Sequence, residues 1–151
     1  MKSREFFPLF VRTSGRKVVV FGGGNVAARR VKTLLGFRFH ITVVAPHIRK
    51  ELEELSDQFT WICGQYDPKY LEHADLVLAC TSDREVNQQI GIDAKSSNLL
   101  VNVCDDKESC SFYFPGVVFC RDATIGIAGN GDDHKAVKTV IDEVRNRFEG
   151  D

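Results

Sequence analysis

A short apolar run that breaks into three glycines constrains the fold of this chain more than any other feature. The run Lys17–Phe21 is rich in β-branched residues, Gly22, Gly23 and Gly24 follow it, and an amphipathic helical pattern begins at once. This order predicts a strand, a tight turn at Gly22 and a helix, with Gly24 letting the backbone approach a phosphate and Ala27 filling the third small position. The free N–H groups and the dipole at the helix start favour an anion. The motif predicts a dinucleotide site, and the alternative is a purely structural turn.

Composition and charge limit the classes of protein to which the chain can belong. Its 151 residues, 43% hydrophobic and 27% charged, are typical of one globular domain with a proper core. The net charge of −1 argues against a nucleic-acid partner or an anionic membrane surface. No apolar run approaches the ~20 residues that span a bilayer, and the first eight residues lack the apolar core of a secretion signal. We therefore expect a cytoplasmic protein without a membrane or nucleic-acid partner.

The number and spacing of the cysteines also indicate the cytoplasm. Five cysteines is an odd number, and none lies in a Cys-x-x-Cys motif, which indicates a reducing environment. Cys80 and Cys104 lie in apolar strand-like runs, so we expect them to act as small buried hydrophobic residues. Cys110 and Cys120 could meet a metal together with a histidine, but their spacing matches no zinc pattern. No metal site is predicted.

The first two thirds of the chain alternate between strand-like and helix-like segments. Strands are predicted at 17–21, 39–45, 59–63, 75–80 and 99–103, with helical patterns between them. Such alternation predicts a parallel sheet covered on both faces, and the right-handed crossover rule makes a Rossmann-like, doubly wound α/β fold its natural closure.

The pattern changes after Cys104. The segments Ser111–Phe114, Val117–Cys120 and Thr124–Ala128 read as β segments without helices between them, and a helix runs from about His134 to Phe148. Asp132 or Asp133 can cap that helix. The expectation is a single domain over 1–151, with a Rossmann core at 1–104, a β extension at 105–131 that enlarges the sheet or crosses to a second subunit, and a C-terminal helix at 132–149.

Ligands of open α/β sheets bind beyond the carboxyl ends of the strands. Four polar or glycine-rich clusters follow predicted strands, namely Gly22–Val26, Ala45–His47, Thr81–Asp83 and Asn102–Asp106. Because these ends share one edge of a parallel sheet, the clusters predict a common site.

The acid that often holds the cofactor ribose at the end of the second strand is missing. The positions Val44–Pro46 carry no carboxylate, and the nearest acid is Glu51. His47, Arg49 and Lys50 could instead meet a 2′-phosphate, or they could simply be the solvated start of a helix. The residues leave open the choice between NAD and NADP.

A series of motifs, taken in their order along the chain, resembles a known family. The motifs are Pro8–Phe10, Val18–Arg30, Ile41–Pro46, Ala79–Asp83 with Asn87, Val101–Asp105 and Ser111–Pro115. Together they resemble the N-terminal domain of siroheme synthase, also known as precorrin-2 dehydrogenase/sirohydrochlorin ferrochelatase. The resemblance covers nearly the whole chain, and this family routinely lacks the acid at the second strand.

The resemblance implies NAD-dependent oxidation of precorrin-2 to sirohydrochlorin on the way to sirohaem, in a homodimer, with insertion of ferrous iron in some members. By position it implies cofactor contacts at Asn25, Val26, Pro46 and His47. With the edge clusters, the expected cofactor-binding set is Gly22, Gly23, Gly24, Asn25, Val26, Pro46, His47, Thr81, Ser82, Asp83 and Val103.

The resemblance also implies an essential acid in the Asn-Val-x-Asp motif, at Asp105. A carboxylate there could take a proton during the oxidation, and later accept the pyrrole protons that a metal displaces. Asp106 is its rival from the sequence alone. The alternative for either residue is a turn position that caps the following loop.

Two departures from the family pattern favour a second function. The family usually has Gly-Gly-x-Ser-Pro before the last helix, where this chain has Gly129-Asn-Gly-Asp-Asp-His-Lys-Ala136, and fuller members continue into a helical domain. The alternative function is therefore an NAD(H)-binding regulatory or redox-sensing module without catalysis. A short-chain dehydrogenase is disfavoured because the chain has no Tyr-x-x-x-Lys pair.

Overall fold

The computed structural model describes residues 4–130 and 133–148, which divide into two compact units. We call residues 11–112 the sheet unit, and residues 4–10 together with 113–130 and 133–148 the hairpin unit.

The sheet unit is built on five parallel strands. They are β1 (Lys17–Phe21), β2 (His40–Val44), β3 (Thr60–Ile62), β4 (Leu76–Ala79) and β5 (Leu100–Val103), and their order across the sheet is β3-β2-β1-β4-β5. The central strands are almost wholly buried because helices cover both faces, which is why they read as continuous apolar runs. The predicted Rossmann-like parallel sheet is confirmed.

Three helices connect these strands. They are α1 (Asn25–Leu34), α2 (Lys50–Glu53) and α3 (Arg84–Ser96). The apolar periodicity predicts Ala27, Val31, Leu34 and Leu35 as the inner face of α1. The first three are buried, whereas Leu35 is the half-buried C-cap residue. Three 3₁₀ turns complete the unit, at Ser56–Gln58, Pro68–Leu71 and Lys107–Ser109.

The spacing of Ile48, Leu52 and Leu55 predicts a second helix with these three residues on its inner face, but the helix in the structure is much shorter. Only four residues are helical, although Ile48 and Leu52 are buried. Leu55, the third residue of the predicted inner face, is half-buried and lies outside the helix. Burial of two anchors is sufficient to hold this connection, so the helix need not continue to cover the sheet.

The segment Ser111–Phe114 is not a strand, and this prediction was wrong. The segment does follow the free edge of β5, but side chains supply much of the pairing. The Ser111 N–H donates to the backbone carbonyl of Val101 at 2.8 Å. In the other direction, the Val101 N–H donates to a side-chain atom, Ser111 Oγ, at 2.8 Å. The Val103 N–H donates to Cys110 Sγ, and Asn102 Nδ2 donates to the Phe112 carbonyl. Side-chain acceptors replace part of the backbone ladder, so no regular strand forms.

The hairpin unit contains two antiparallel strands and a long helix. The strands β6 (Gly116–Cys120) and β7 (Ala123–Ile127) form a separate two-stranded sheet, and the helix α4 spans His134–Phe148. Both confirm the expected hairpin and terminal helix. The turn between the strands holds Arg121 at a φ of 50°.

The helix α4 packs on glycines and leaves part of its apolar face exposed. A Cβ at Gly116 would lie 2.2 Å from the Ile141 Cδ1 atom, and one at Gly129 would lie 2.3 Å from Val137 Cγ2. Val140 and Phe148, which the periodicity predicts on the inner side, are 46% and 45% exposed.

Of the two acids predicted to cap α4, Asp133 does so, because its Oδ1 accepts the Ala136 N–H at 2.9 Å. The alternative, Asp132, lies outside the described residues. Within residues 4–130 and 133–148, no helix has the length and apolar character needed to cross a membrane.

Replacing Ser111 with alanine tests the closure of the β5 edge. Ser111→Ala leaves the Val101 N–H without its acceptor, and we expect a loss of about 1–2 kcal/mol in the free energy of unfolding, measured by urea denaturation. The control is Ser97→Ala, at an exposed helix end, which we expect to stay within about 0.5 kcal/mol of the wild type. Equal stability of the two variants would contradict the assigned edge pairing.

Candidate functional site

The four clusters predicted at the strand ends lie on one edge of the sheet unit. They follow β1, β2, β4 and β5, which are mutually parallel and adjacent in the order β2-β1-β4-β5. From β1 the chain adds β2 and β3 on one side, and it then adds β4 and β5 on the other side of β1. The strand order therefore reverses between β1 and β4. A crevice at such a reversal, beyond the carboxyl ends of the strands, is where α/β sheets bind ligands.

Two of the three glycines are required by packing within the protein. Gly22 has a φ of +115°, and a Cβ there would lie 2.3 Å from the Cys80 carbonyl oxygen. A Cβ at Gly23 would lie 2.1 Å from the His47 carbonyl oxygen and 2.8 Å from the Ile48 Cα. Both contacts are with backbone, which cannot move aside as a flexible side chain would. Gly22 therefore makes the predicted tight turn, and Gly23 allows the loop after β2 to pack on it.

The third glycine is not required by packing. Gly24 is the N-cap of α1 with a φ of −85°, and a Cβ there would meet no atom within 4 Å. No side chain of the described residues caps this helix start, and its first turn contains no acid. Asn25 is exposed and Val26 is half-buried. The first backbone N–H groups of α1 are thus open to an anion, which suits a phosphate group.

The end of β2 carries no carboxylate. Val44 and Ala45 are buried, and Pro46 and His47 are exposed at the sheet edge.

A cavity of about 430 Å³ lies beside α1, and the sequence reasoning did not find it. Its lining residues are Asn25, Ala28, Arg29, Lys32, Arg49 and Glu51. The Arg49 guanidinium contacts Glu51 at 3.2 Å, and its hydrogen bond holds the pKa of that carboxyl below the usual range. Arg49 is thereby paired, and Arg29 and Lys32 give the cavity its remaining positive charge.

A buried asparagine organises the ends of β4 and β5. The Asn87 side chain is 0% exposed. Its Oδ1 accepts the Thr81 N–H at 3.0 Å, and its Nδ2 donates to the Thr81 carbonyl at 3.1 Å and to Asp105 Oδ2 at 3.2 Å. One amide therefore connects the two strand ends. The resemblance included Asn87 as a motif residue, but its bridging role is visible only in three dimensions.

Asp83, one of the predicted cofactor contacts, has a structural role. Its Oδ1 accepts the N–H groups of Glu85 and Val86 and so caps α3. Thr81 is half-buried beside Asn87, and Ser82 is exposed on the rim.

The neighbouring carboxylates of Asp105 and Asp106 have different hydrogen-bond partners. Asp105 is exposed in the turn after β5, two residues beyond the strand end, and its Oδ2 accepts a hydrogen bond from the Asn87 amide. Asp106 instead caps a 3₁₀ turn, accepting from Ser109 Oγ at 2.6 Å and from the Glu108 N–H at 3.2 Å. The Ser109 hydrogen bond lowers the pKa of Asp106. Val103, the last residue of β5, is 2% exposed, so its side chain lies in the core.

Arg30 joins this edge, although the sequence places it off the apolar stripe of α1. Its guanidinium donates to Asn102 Oδ1 and approaches Cys80 Sγ at 3.6 Å. Asn102 in turn is 4% exposed and sits on β5. The only signal in the sequence is the position of Arg30 three residues after the buried Ala27, at the border of the inner face.

Metal-binding clusters are absent from the described part of the chain, where no group of three or more His, Cys, Asp or Glu side chains could hold an ion. The thiol of Cys110 donates to the carbonyls of Val103 and Asp106.

Comparison with known proteins shows the family to which the chain belongs. A family model described as "Putative NAD(P)-binding" matches residues 9–116. The chain is 43% identical over 143 residues to "Probable multifunctional siroheme biosynthesis protein HemA" of Ruminiclostridium josui, covering 92% of this chain and 28% of that protein. It is 37% identical over 129 residues to "Siroheme synthase" of Photorhabdus laumondii, covering 84% of this chain and 27% of that protein. The chain thus spans about 28% of the length of these relatives.

A solved structure shares the fold. "SirC, precorrin-2 dehydrogenase" superposes with a TM-score of 0.79 at 24% sequence identity, covering 95% of this chain and 71% of the other. The likeness extends over both the parallel sheet and the C-terminal elements of this chain.

Proposed function

Because the chain belongs to the NAD(P)-binding family matched over residues 9–116, we propose that it binds NAD and oxidises precorrin-2 to sirohydrochlorin in sirohaem biosynthesis. The observation that carries the proposal is one edge of the sheet that offers both an open helix start at Gly24 and an exposed carboxylate at Asp105. Relatives named for siroheme biosynthesis support the choice of substrate.

The residues around the glycine turn fit a dinucleotide. Gly22 and Gly23 hold the turn in place, and the N–H groups at Gly24, Asn25 and Val26 are suited to the pyrophosphate. The proposed contacts on the remaining loops are Pro46 and His47 after β2, Thr81, Ser82 and Asp83 after β4, and Val103 at the end of β5. The ribose would be held by backbone groups after β2, since no acid is present there.

NAD is proposed over NADP because of the partner of Arg49. The Glu51 carboxylate already pairs with this guanidinium at 3.2 Å. An anionic 2′-phosphate would have to compete with Glu51 for Arg49.

Asp105 is the proposed base. Oxidation of a carbon–nitrogen framework removes a hydride and a proton from the substrate, and NAD when bound supplies the hydride acceptor. The exposed Asp105 carboxylate can take the proton. The Asn87 amide orients this carboxylate by donating a hydrogen bond to Asp105 Oδ2. Asp106 is less suited because both of its oxygens are engaged in the adjacent turn.

Insertion of ferrous iron is a second proposed activity. Iron would be a substrate here, and the same Asp105 carboxylate could accept the pyrrole protons that the metal displaces. The module without catalysis is the competing function, and the Asp105 variant below separates it from the enzyme.

The proposed compartment is the cytoplasm. All five cysteines are free in the structure, and Cys63 is exposed to solvent, which suits a reducing environment. Fluorescence microscopy of a tagged full-length protein would test this.

Enlarging Gly24 should weaken NAD binding without unfolding the protein. In Gly24→Leu the side chain occupies the space above the helix start, and loss of charge-assisted hydrogen bonds to a phosphate predicts an affinity lower by about 10- to 100-fold by calorimetry. Gly24→Ala should have a smaller effect. Gly23→Ala is the packing control, and we expect it to lower the melting temperature because of the His47 carbonyl. Unchanged NAD affinity in Gly24→Leu, or a preference for NADP, would contradict the proposed site.

Replacing Asp105 with asparagine should abolish most of the oxidation. Asp105→Asn keeps the shape but removes the base, so the rate of sirohydrochlorin formation, followed by absorbance, should fall about a hundredfold or more while NAD affinity is unchanged. Asp106→Asn is the matched control and should stay within a few-fold of the wild type. Wild-type protein that binds NAD but forms no sirohydrochlorin would favour the binding module.

The proposed homodimer involves the hairpin unit. Phe119 on β6 and Val140 and Phe148 on α4 are each more than 40% exposed, and such apolar surface favours association.

Light scattering should report twice the chain mass for the wild type. Val140→Glu should weaken the dimer by more than about a hundredfold, since a buried unpaired charge costs about 3–5 kcal/mol. The neighbouring exposed Thr139→Glu adds the same charge off this face and should leave the dimer intact. A monomeric wild type at high protein concentration would refute the homodimer.

A further inference from the structure

We propose that Cys80 and Cys104 form a reactive dithiol at the carboxyl edge of the sheet, which hydroperoxides oxidise to a disulfide. This modification is separate from the proposed dehydrogenase chemistry, because neither thiol belongs to the cofactor contacts or the base described above.

The sheet register brings the two thiols together. The ladder between β4 and β5 ends with Ala79 opposite Val103, so the next residues, Cys80 and Cys104, are neighbours across the strands. The Cys104 N–H donates to the Ala79 carbonyl at 3.0 Å, which continues the pairing by one step. Adjacent strands lie about 4.8 Å apart, within the range of Cα separations that a disulfide spans.

The surroundings favour a thiolate on Cys104. The hydrogen bond from the Cys80 thiol lowers the pKa of Cys104 to about 7, the charge of Arg30 lowers it further, and burial and the Asp105 carboxylate oppose the shift. The pKa of Cys80 is raised well above its usual value by the same hydrogen bond and by burial. Cys104 is half-buried and Cys80 is buried. Cys104 is therefore the attacking sulfur, and Cys80 is the resolving one.

The chemistry balances with one hydroperoxide. The Cys104 thiolate attacks a peroxide oxygen, the O–O bond breaks, and Cys104 becomes a sulfenic acid while the leaving oxygen takes a proton. The Cys80 sulfur then attacks the Cys104 sulfur, and the S–O bond breaks. The hydroxide that leaves takes the Cys80 proton to form water. Two thiols lose two electrons and two protons in all, and the peroxide is reduced by the same two electrons.

Cys110 provides an internal comparison. It is partly buried like Cys104, but its thiol donates to the Val103 and Asp106 carbonyls, and burial raises its pKa. A thiol held in this way stays protonated and should react slowly.

Mass spectrometry after peroxide treatment tests the pair. Reduced protein is treated with hydrogen peroxide at pH 7, blocked with N-ethylmaleimide and digested with trypsin. Cys80 is the only cysteine in the peptide 70–84 and Cys104 the only one in 96–107, so the expected product is a link between these two peptides, reversed by dithiothreitol. Cys110→Ser should form the same link. Absence of this link, or earlier oxidation of other cysteines, would overturn the proposal.

A second measurement separates the roles of the two sulfurs. Alkylation of Cys104 by iodoacetamide should reach half its maximal rate near pH 7, whereas Cys110 should react only in alkaline solution. In Cys80→Ala, with folding checked by circular dichroism, the midpoint for Cys104 should rise, and peroxide should leave a sulfenic acid that dimedone traps. If Cys104 and Cys110 titrated alike in the wild type, the dithiol would be refuted.

Discussion

The contact of the glycine turn with two neighbouring loops is the constraint on which this edge of the sheet depends. Gly22 lies against the Cys80 carbonyl, and Gly23 lies against the His47 carbonyl, at separations that exclude any side chain. The Arg49 N–H also donates to the Gly23 carbonyl at 3.0 Å. Through these contacts the ends of β1, β2 and β4 are held as one body. The loops that follow β1, β2 and β4 take their positions from that junction.

The same turn separates folding from binding. Gly22 and Gly23 are needed to fold the protein, while Gly24 faces open space and carries no packing role. At the other side of the crevice a similar division holds between the aspartates. Asp106 is engaged in its own turn, and Asp105 is held through Asn87. Groups that the fold does not use are the ones available for chemistry.

Local patterns account for what could be predicted from the sequence. The β1–turn–α1 motif, the parallel sheet, the hairpin and α4 all follow from apolar periodicity and from glycine chemistry near each residue. The short α2 could not be foreseen, since Ile48 and Leu52 satisfy the core without a longer helix. The role of Ser111 was missed because its hydroxyl replaces a backbone acceptor, and periodicity does not report such exchanges.

Contacts between distant parts of the chain set the remainder of the site. Arg30 reaches Asn102 across 72 positions of sequence, and only its position at the border of the α1 inner face distinguishes it locally from the exposed Arg29. The sequence predicts Cys80 and Cys104 only as small buried hydrophobic residues. Their pairing depends on the register of β4 and β5, which becomes known only once the sheet is assembled.

The segment along the outer side of β5 determines how much of a dinucleotide fold the sheet unit can build. Doubly wound sheets that bind dinucleotides commonly continue with a sixth strand beside the fifth. Here Ser111 and Cys110 already engage the outward N–H groups of Val101 and Val103. A sixth strand has no position left, so the sheet supplies no sixth loop to the crevice beyond Asp105. Any wall that the proposed substrate needs on that flank must come from outside the sheet unit.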